Sequence, residues 1–286
     1  MSEADYDGAG PVGAERYEAG SHDSGRAGMG LDAAGLSQAL APTRWGPIRL
    51  LERTGSTNAD LLDWLRRGLA APGQVVLADR QDSGRGRLDR TWSSPPGVSV
   101  MMSVAVELPP WESGPPWTQL PLLAGLAVVR AGADWGVAAD LKWPNDVLID
   151  GRKWAGLLVE TTQSAGRPVA VVGLGLNVSQ SQDQLPVAQA TSLALAGLTV
   201  PRQTVALAVL ERLDRQLTDW LAGVDRMDDY RRASATLGRT VRVMTGPGQS
   251  VSGRAVAIAD DGRLEVVCDG RHHFFAAGDV VHLRAG

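Results

Sequence analysis

Two lysines stand among the 286 residues, Lys142 and Lys153, against twenty-six arginines, and both fall in one short stretch. Lysine offers a compact, strongly hydrated point charge where arginine offers a flat, rigid fork. A lysine kept only here can hold an anion. Scarcity alone does not separate that role from chance in an arginine-rich composition. Lys142 opens the run Lys142-Trp143-Pro144-Asn145-Asp146, and Lys153 follows across a hairpin. The run reads either as a tight turn, since Pro, Asn and Asp all favour turns, or as two ammonium groups and a carboxylate suited to a nucleoside triphosphate and Mg²⁺.

A second segment, Gln81 to Trp92, places Arg85, Arg87 and Arg90 within six residues, with Gly84 and Gly86 beside the first pair. Glycine lets backbone N–H groups converge on an anion, and guanidinium forks match carboxylate and phosphate. Taken alone, the segment equally suits a solvated loop or a weak RNA-binding stretch. A third, Gly173-Leu174-Gly175-Leu176-Asn177, lacks the third glycine of a dinucleotide fingerprint. It serves either close backbone packing or a floor that admits a base, with the Asn177 amide facing adenine. No Walker A sequence, Gly-x-Ser-x-Gly elbow or Cys/His metal spacing occurs, and Cys268, His272 and His273 fall among expected strands in core or surface roles.

The elements that must position these residues follow from periodicity. Residues 1–29 are poor in large apolar groups and predict a disordered tail. An amphipathic piece, Leu31 to Leu40, precedes a turn at Pro42, and order is expected to begin near Trp45. Pro47 to Leu51 reads as a strand. Leu61, Leu62 and Leu65 read as a helix capped by Ser56 or Thr57 and ended by Gly68. Strands are expected over 74–79 and 98–106 and a buried helix over 120–133. Asp150-Gly151 predicts a hairpin between 147–149 and 154–161. A strand over 169–172 runs into the glycine segment, and a long helix is expected over 202–221. Beyond Ser234, short strands punctuated at Gly246-Pro247-Gly248, Asp261-Gly262 and Asp269-Gly270 predict a small SH3-like barrel.

The expected class is therefore α+β: a mixed-sheet catalytic domain flanked by helices over 44–234, a C-terminal SH3-like domain over 235–286, and a poorly ordered tail over 1–43. A net charge of −4 argues against a constitutive nucleic-acid binder. One cysteine excludes an internal disulfide, and no apolar run is long enough to span a bilayer, so the cytoplasm is the expected compartment.

Together the segments resemble the biotin protein ligase family. The resemblance rests on Thr54-Gly55-Ser56-Thr57-Asn58, Gln81, Gly84-Arg85-Gly86-Arg87 with Arg90 and Trp92, Lys142 to Asp146, Lys153-x-Ala155-Gly156 with Glu160, and Gly173-x-Gly175-x-Asn177, in the family's order. It implies that biotin and MgATP form biotinyl-5′-AMP, and that biotin then passes to a lysine of a biotin carboxyl carrier domain of a biotin-dependent carboxylase. By resemblance, Arg85, Arg87 and Lys153 are the catalytic cations. Ser56, Thr57, Asn58, Gln81, Gly84, Gly86 and Gly156 join them around biotin. Arg90, Trp92, Lys142, Asn145 and Asn177 accompany Arg85 and Arg87 around the nucleotide, with Trp92 covering adenine, Asn177 reading it, and Asp146 meeting Mg²⁺. Asp89, where many relatives have glycine, and Trp154, in place of an aliphatic residue, depart from the family's pattern; Trp154 is expected to alter the pocket wall. The residues before Trp45 are too few and too polar for the DNA-binding module some members carry, so no operator binding is expected. A lipoate or octanoate transferase is the nearest rival enzyme, and an RNA- or partner-binding protein the rival of another class.

Overall fold

Strand β5 (Ser99–Glu107) is buried at every position but its last, which marks a strand covered on both faces. The computed structural model that contains it describes residues 30–87, 90–246 and 248–283. In chain order the elements are α1 (Ala33–Ala39), β1 (Ile48–Thr54), α2 (Thr57–Arg66), β2 (Val75–Gln81), β3 (Gly84–Arg85), β4 (Thr91–Trp92) and β5. There follow α3 (Leu120–Ala133), β6 (Ala139–Lys142), β7 (Asp146–Ile149), β8 (Arg152–Ser164), β9 (Arg167–Asn177), α4 (Arg202–Leu221) and α5 (Met227–Arg232). The C-terminal strands are β10 (Thr240–Gly246), β11 (Gln249–Ile258), β12 (Leu264–Cys268), β13 (Arg271–Phe275) and β14 (Asp279–His282).

The large sheet has seven strands in the order β1-β2-β5-β9-β8-β7-β6, with β1 and β2 parallel and the other pairs antiparallel. Two of its hairpins turn through left-handed backbone, which Asp150-Gly151 favours and Ala165 does not. Asp150-Gly151 and Ala165-Gly166 each have two successive positive φ angles (49° and 72°, 48° and 77°), the geometry whose twist suits paired strands. On one face α2 sets Leu61, Leu62 and Leu65 over Val76, Ala105, Val169 and Val171. The other face carries the main core, where Val100, Met102, Leu174 and Leu176 meet the apolar sides of α3 and α4.

One irregularity matters for the site. Val147 pairs with Ala155 but Leu148 pairs with Lys153, so Trp154 is an extra residue in β8. This bulge sends both Trp154 and Ala155 into the core and turns Lys153 to the same side as Gly156. Trp154 therefore lies under α3, where Gly132 leaves room for its ring, and its Nε1 donates to the Asn177 carbonyl at 3.0 Å. It does not form a pocket wall, which corrects the expectation from sequence.

A second correction concerns the N-terminal region. Order begins before Trp45: Asp32 caps α1 by accepting from Ala34 N and Gly35 N, and Leu36 and Leu40 are fully buried in the main core. Residues 1–29 lie outside the described residues. The C-terminal strands form a five-stranded antiparallel sheet, β13-β12-β11-β10-β14. Among the described residues its edge strands are not paired with each other, so the small domain is an open antiparallel sheet. No helix of the described residues is long and apolar enough to cross a membrane.

Candidate functional site

Register builds the floor. Asp146 pairs with Gly156, Gly156 with Gly175, and Gly175 with Met101, a single row across β7, β8, β9 and β5. Glycine stands where side chains would otherwise fill the face beyond α2, and the resulting cavity is lined by Ser56, Thr57, Asn58, Gln81, Arg85, Gly86, Arg87, Arg90, Trp92, Asn145, Asp146, Lys153, Gly156 and Asp279, among others. Arg87 and Lys153, 66 positions apart in the chain, thus line one small space. The glycine segment 173–177 continues the strand expected over 169–172 and forms the end of β9.

The polar end of this space is fixed by a buried network. Ser56 caps α2. Thr57 N–H donates to Gln81 Oε1 at 2.8 Å, and its hydroxyl donates to the same oxygen at 3.1 Å. The Gln81 amide is thereby oriented, with its NH₂ end left as a donor for a ligand. Asn58 accepts from Ser103 Oγ at 2.6 Å and donates to Glu160 Oε2 at 3.0 Å. Gly173 is what admits Asn58, because a Cβ there would sit 2.3 Å from the Asn58 carboxamide oxygen.

The cationic end is crowded. Lys153 Nζ lies 2.6 Å from Asp146 Oδ1, and Lys142 Nζ lies 3.9 Å from Oδ2 of the same carboxylate. Arg85 meets Glu160 at 2.9 Å. Arg90 pairs with Asp279, which reaches in from the C-terminal sheet. Burial pushes the Arg87 guanidinium below its ordinary value, against the pull of Asp279 and Asp146. Arginine remains protonated even so. The lining holds four cations (Arg85, Arg87, Arg90, Lys153) against two carboxylates (Asp146, Asp279), in a chain whose net charge is −4. Such a concentration of positive charge suits an anion.

Trp92 lies on the glycine floor: a Cβ on Gly175 would meet its indole at 2.5 Å and one on Gly156 at 3.0 Å. Its Nε1 is buried without a partner, and Lys153 Nζ lies 5.9 Å from the ring centroid. Asn145 is pinned to β8, donating to the Leu157 carbonyl at 2.8 Å and accepting from Leu157 N–H at 2.9 Å.

Three expected residues stand off the cavity lining. Asn177 donates to the Thr191 carbonyl at 2.9 Å and accepts from Gln180 at 2.9 Å, so its amide has partners within the fold. Lys142 acts from beside Asp146. Gly84 serves the β3–β4 contact, since a Cβ would sit 2.4 Å from the Trp92 carbonyl. Asp89 lies outside the described residues. Among the described residues no three His, Cys, Asp or Glu side chains gather to hold a metal. Asp146 alone suits an ion that arrives on phosphate, because Mg²⁺ is commonly held by one or two carboxylates plus the nucleotide.

Sequence reasoning missed Ser103 and Asp279. Ser103 had a signal, a hydroxyl in the middle of an apolar strand. Asp279 had none, because only folding brings it across 189 positions to Arg90.

Residues 50–177 match the biotin/lipoate A/B protein ligase family, and residues 236–283 match the biotin protein ligase C-terminal domain. The chain is 39% identical over 264 residues to the biotin–[acetyl-CoA-carboxylase] ligase of Mycobacterium tuberculosis, covering 89% of this chain and 96% of that one. It is 35% identical over 204 residues to the bifunctional ligase/repressor BirA of Bacillus subtilis, 68% of this chain and 62% of that protein. Among solved structures, the biotin protein ligase from Aquifex aeolicus in complex with biotin and ATP is 26% identical with a TM-score of 0.71, covering 84% of this chain and 100% of that chain.

Proposed function

The chain belongs to the biotin protein ligases of the biotin/lipoate A/B protein ligase family, and from that premise we propose how its residues carry out the two half-reactions. Biotin's carboxylate oxygen attacks the α-phosphorus of MgATP, giving biotinyl-5′-AMP and releasing pyrophosphate. A lysine amine of the biotin carboxyl carrier domain of acetyl-CoA carboxylase then attacks the acyl carbon. The amide bond forms, the amine loses a proton, and AMP leaves.

The observation that carries this reading is the excess of cations in one glycine-floored cavity. A carboxylate and a phosphate about 4 Å apart repel by roughly 4 kcal/mol at an effective dielectric of about 20. Arg85, Arg87 and Lys153 offset that repulsion and the charge that develops as the bond forms. Lys153 suits the junction of the two anions, since its partner Asp146 holds it in place beforehand. Ser56, Thr57 and Gln81 suit the ureido ring of biotin, a planar group with a carbonyl acceptor and two N–H donors. Asn145 and Asp146 face the phosphates, Asp146 with the Mg²⁺ that accompanies ATP.

Trp92 occupies the floor where a flat ligand ring would lie, so ligand entry displaces the indole and with it strand β4. Reclosure over the adenylate excludes water from a mixed anhydride that hydrolyses readily. An adjoining cleft, lined by Trp117, Thr118, Glu160, Ala276 and Ala277, shares Arg85, Arg87 and Asn145 with the cavity and gives the acceptor amine a route to the acyl carbon.

Mass-detected transfer to a carrier domain tests the function. Biotin with MgATP adds one biotin to the acceptor lysine, while lipoate or octanoate in its place adds nothing. Transfer of lipoate at the rate of biotin would reassign the substrate.

A further inference from the structure

The turn that carries Asn145 and Asp146 is gripped from the C-terminal side through Trp143, which is 1% exposed. Its indole Nε1 donates to the Gly262 carbonyl at 3.0 Å, and its backbone N–H donates to Thr236 Oγ1, also at 3.0 Å. Thr236 is fully buried, and its Oγ1 lies 3.2 Å from His282 Nε2 on β14. Oγ1 accepts from Trp143, and which of Oγ1 and Nε2 donates in their contact depends on the His282 tautomer. Burial, with the nearby charges of Lys142 and Arg239, pushes His282 down to about 4, so the imidazole is neutral near pH 7.

We propose that Thr236 and His282 are positioning residues for the nucleotide side of the site, acting through Trp143 on Asn145 and Asp146. The chain of contacts is directional. The C-terminal sheet reaches Thr236, Thr236 holds the backbone at Trp143, and the next residues but one line the cavity. Ser56, Thr57 and Gln81 stand on α2 and β2, held by their own network, and receive nothing from this relay. The proposal rests on the assignment of Asn145 and Asp146 to the nucleotide.

The test uses the full chain, with biotin affinity measured by calorimetric titration and MgATP dependence by biotin-dependent pyrophosphate exchange. Thr236→Val removes the hydroxyl with little change in volume, leaves the Trp143 N–H buried and unpaired, and raises the KM for MgATP roughly tenfold while biotin affinity stays within about twofold. Thr236→Ser restores the MgATP dependence. His282→Leu shifts it in the same direction as Thr236→Val, and decides the matter if Thr236→Val does not fold. A wild-type KM for MgATP in both Thr236→Val and His282→Leu overturns the relay, as does an equal loss of biotin affinity, which would mark general loosening. Asn145→Ala separates the two levels. If it impairs MgATP use while the relay variants do not, the relay alone fails; if it leaves MgATP use unchanged, the assignment of the turn fails.

Discussion

Lys153 is the residue on which the site converges, and its sequence neighbours explain how it arrives there. Asp146 holds its ammonium at 2.6 Å, Gly156 gives it room, and Trp92 lies beside it. The residue types were readable before the fold, because an isolated lysine in an arginine-rich chain and glycine-flanked arginines both speak of anions. Their sharing of one cavity was not readable, nor were the hydrogen bonds of Asn177 with Thr191 and Gln180. An asparagine looks the same in a sequence whether its amide faces a ligand or a loop. Gly175 supplies a prediction at this scale. A methyl group there meets the indole at 2.5 Å and fills the space a ligand ring needs, so Gly175→Ala weakens biotin binding at least roughly tenfold. Trp92→Ala in the same chain does not restore it. Calorimetric titration distinguishes the outcomes: full rescue would mean that the glycine serves only the tryptophan.

At the scale of elements, helices α3 and α4 have the bounds their apolar spacing predicts, Leu120–Ala133 and Arg202–Leu221. The Asp150-Gly151 hairpin likewise forms. The bulge at Trp154 was hidden, since a strand pattern records alternation and one inserted residue reads as noise. The consequence is large, because without it Lys153 and Gly156 would fall on opposite faces of the sheet. The N-terminal helix was also undervalued: two leucines on a short capped helix suffice when a core waits to receive them. Trp154 belongs to that core, so Trp154→Ala costs about 3–5 kcal/mol of stability and leaves the biotin affinity of the folded fraction unchanged. Denaturant unfolding and titration measure the two separately; unaltered stability with weakened binding would return Trp154 to the pocket wall. His282 gives a pH prediction. Its folded pKa of about 4 lies below the usual ~6.5 of an unfolded histidine. Between these values the unfolded chain binds more protons, so stability rises with pH across the window and its contribution is complete above about 6.5. His282→Gln flattens that part of the stability curve; an unchanged slope would contradict a neutral, half-buried imidazole.

The molecule as a whole joins a glycine-floored sheet to a small sheet that supplies Asp279 and grips Trp143. Neither link was legible, because each joins residues that only the folded chain brings together. The whole chain also bears on a hazard of its own chemistry, since an acyl-adenylate reacts with any amine it meets. Both lysines lie beside Asp146 in or next to the cavity. Incubation with biotin and MgATP in the absence of a carrier therefore leaves the lysine side chains unmodified by mass spectrometry, and abundant lysine-linked biotin would contradict this.

The central claim is that cations from two distant segments press biotin's acid group against the α-phosphorus. Biotin-dependent exchange of pyrophosphate into ATP by Lys153→Ala, compared with the unaltered chain, tests it most directly. The account predicts that exchange falls at least roughly a hundredfold while the fold is retained. Exchange at the unaltered rate would remove Lys153 from the reaction and contradict the account.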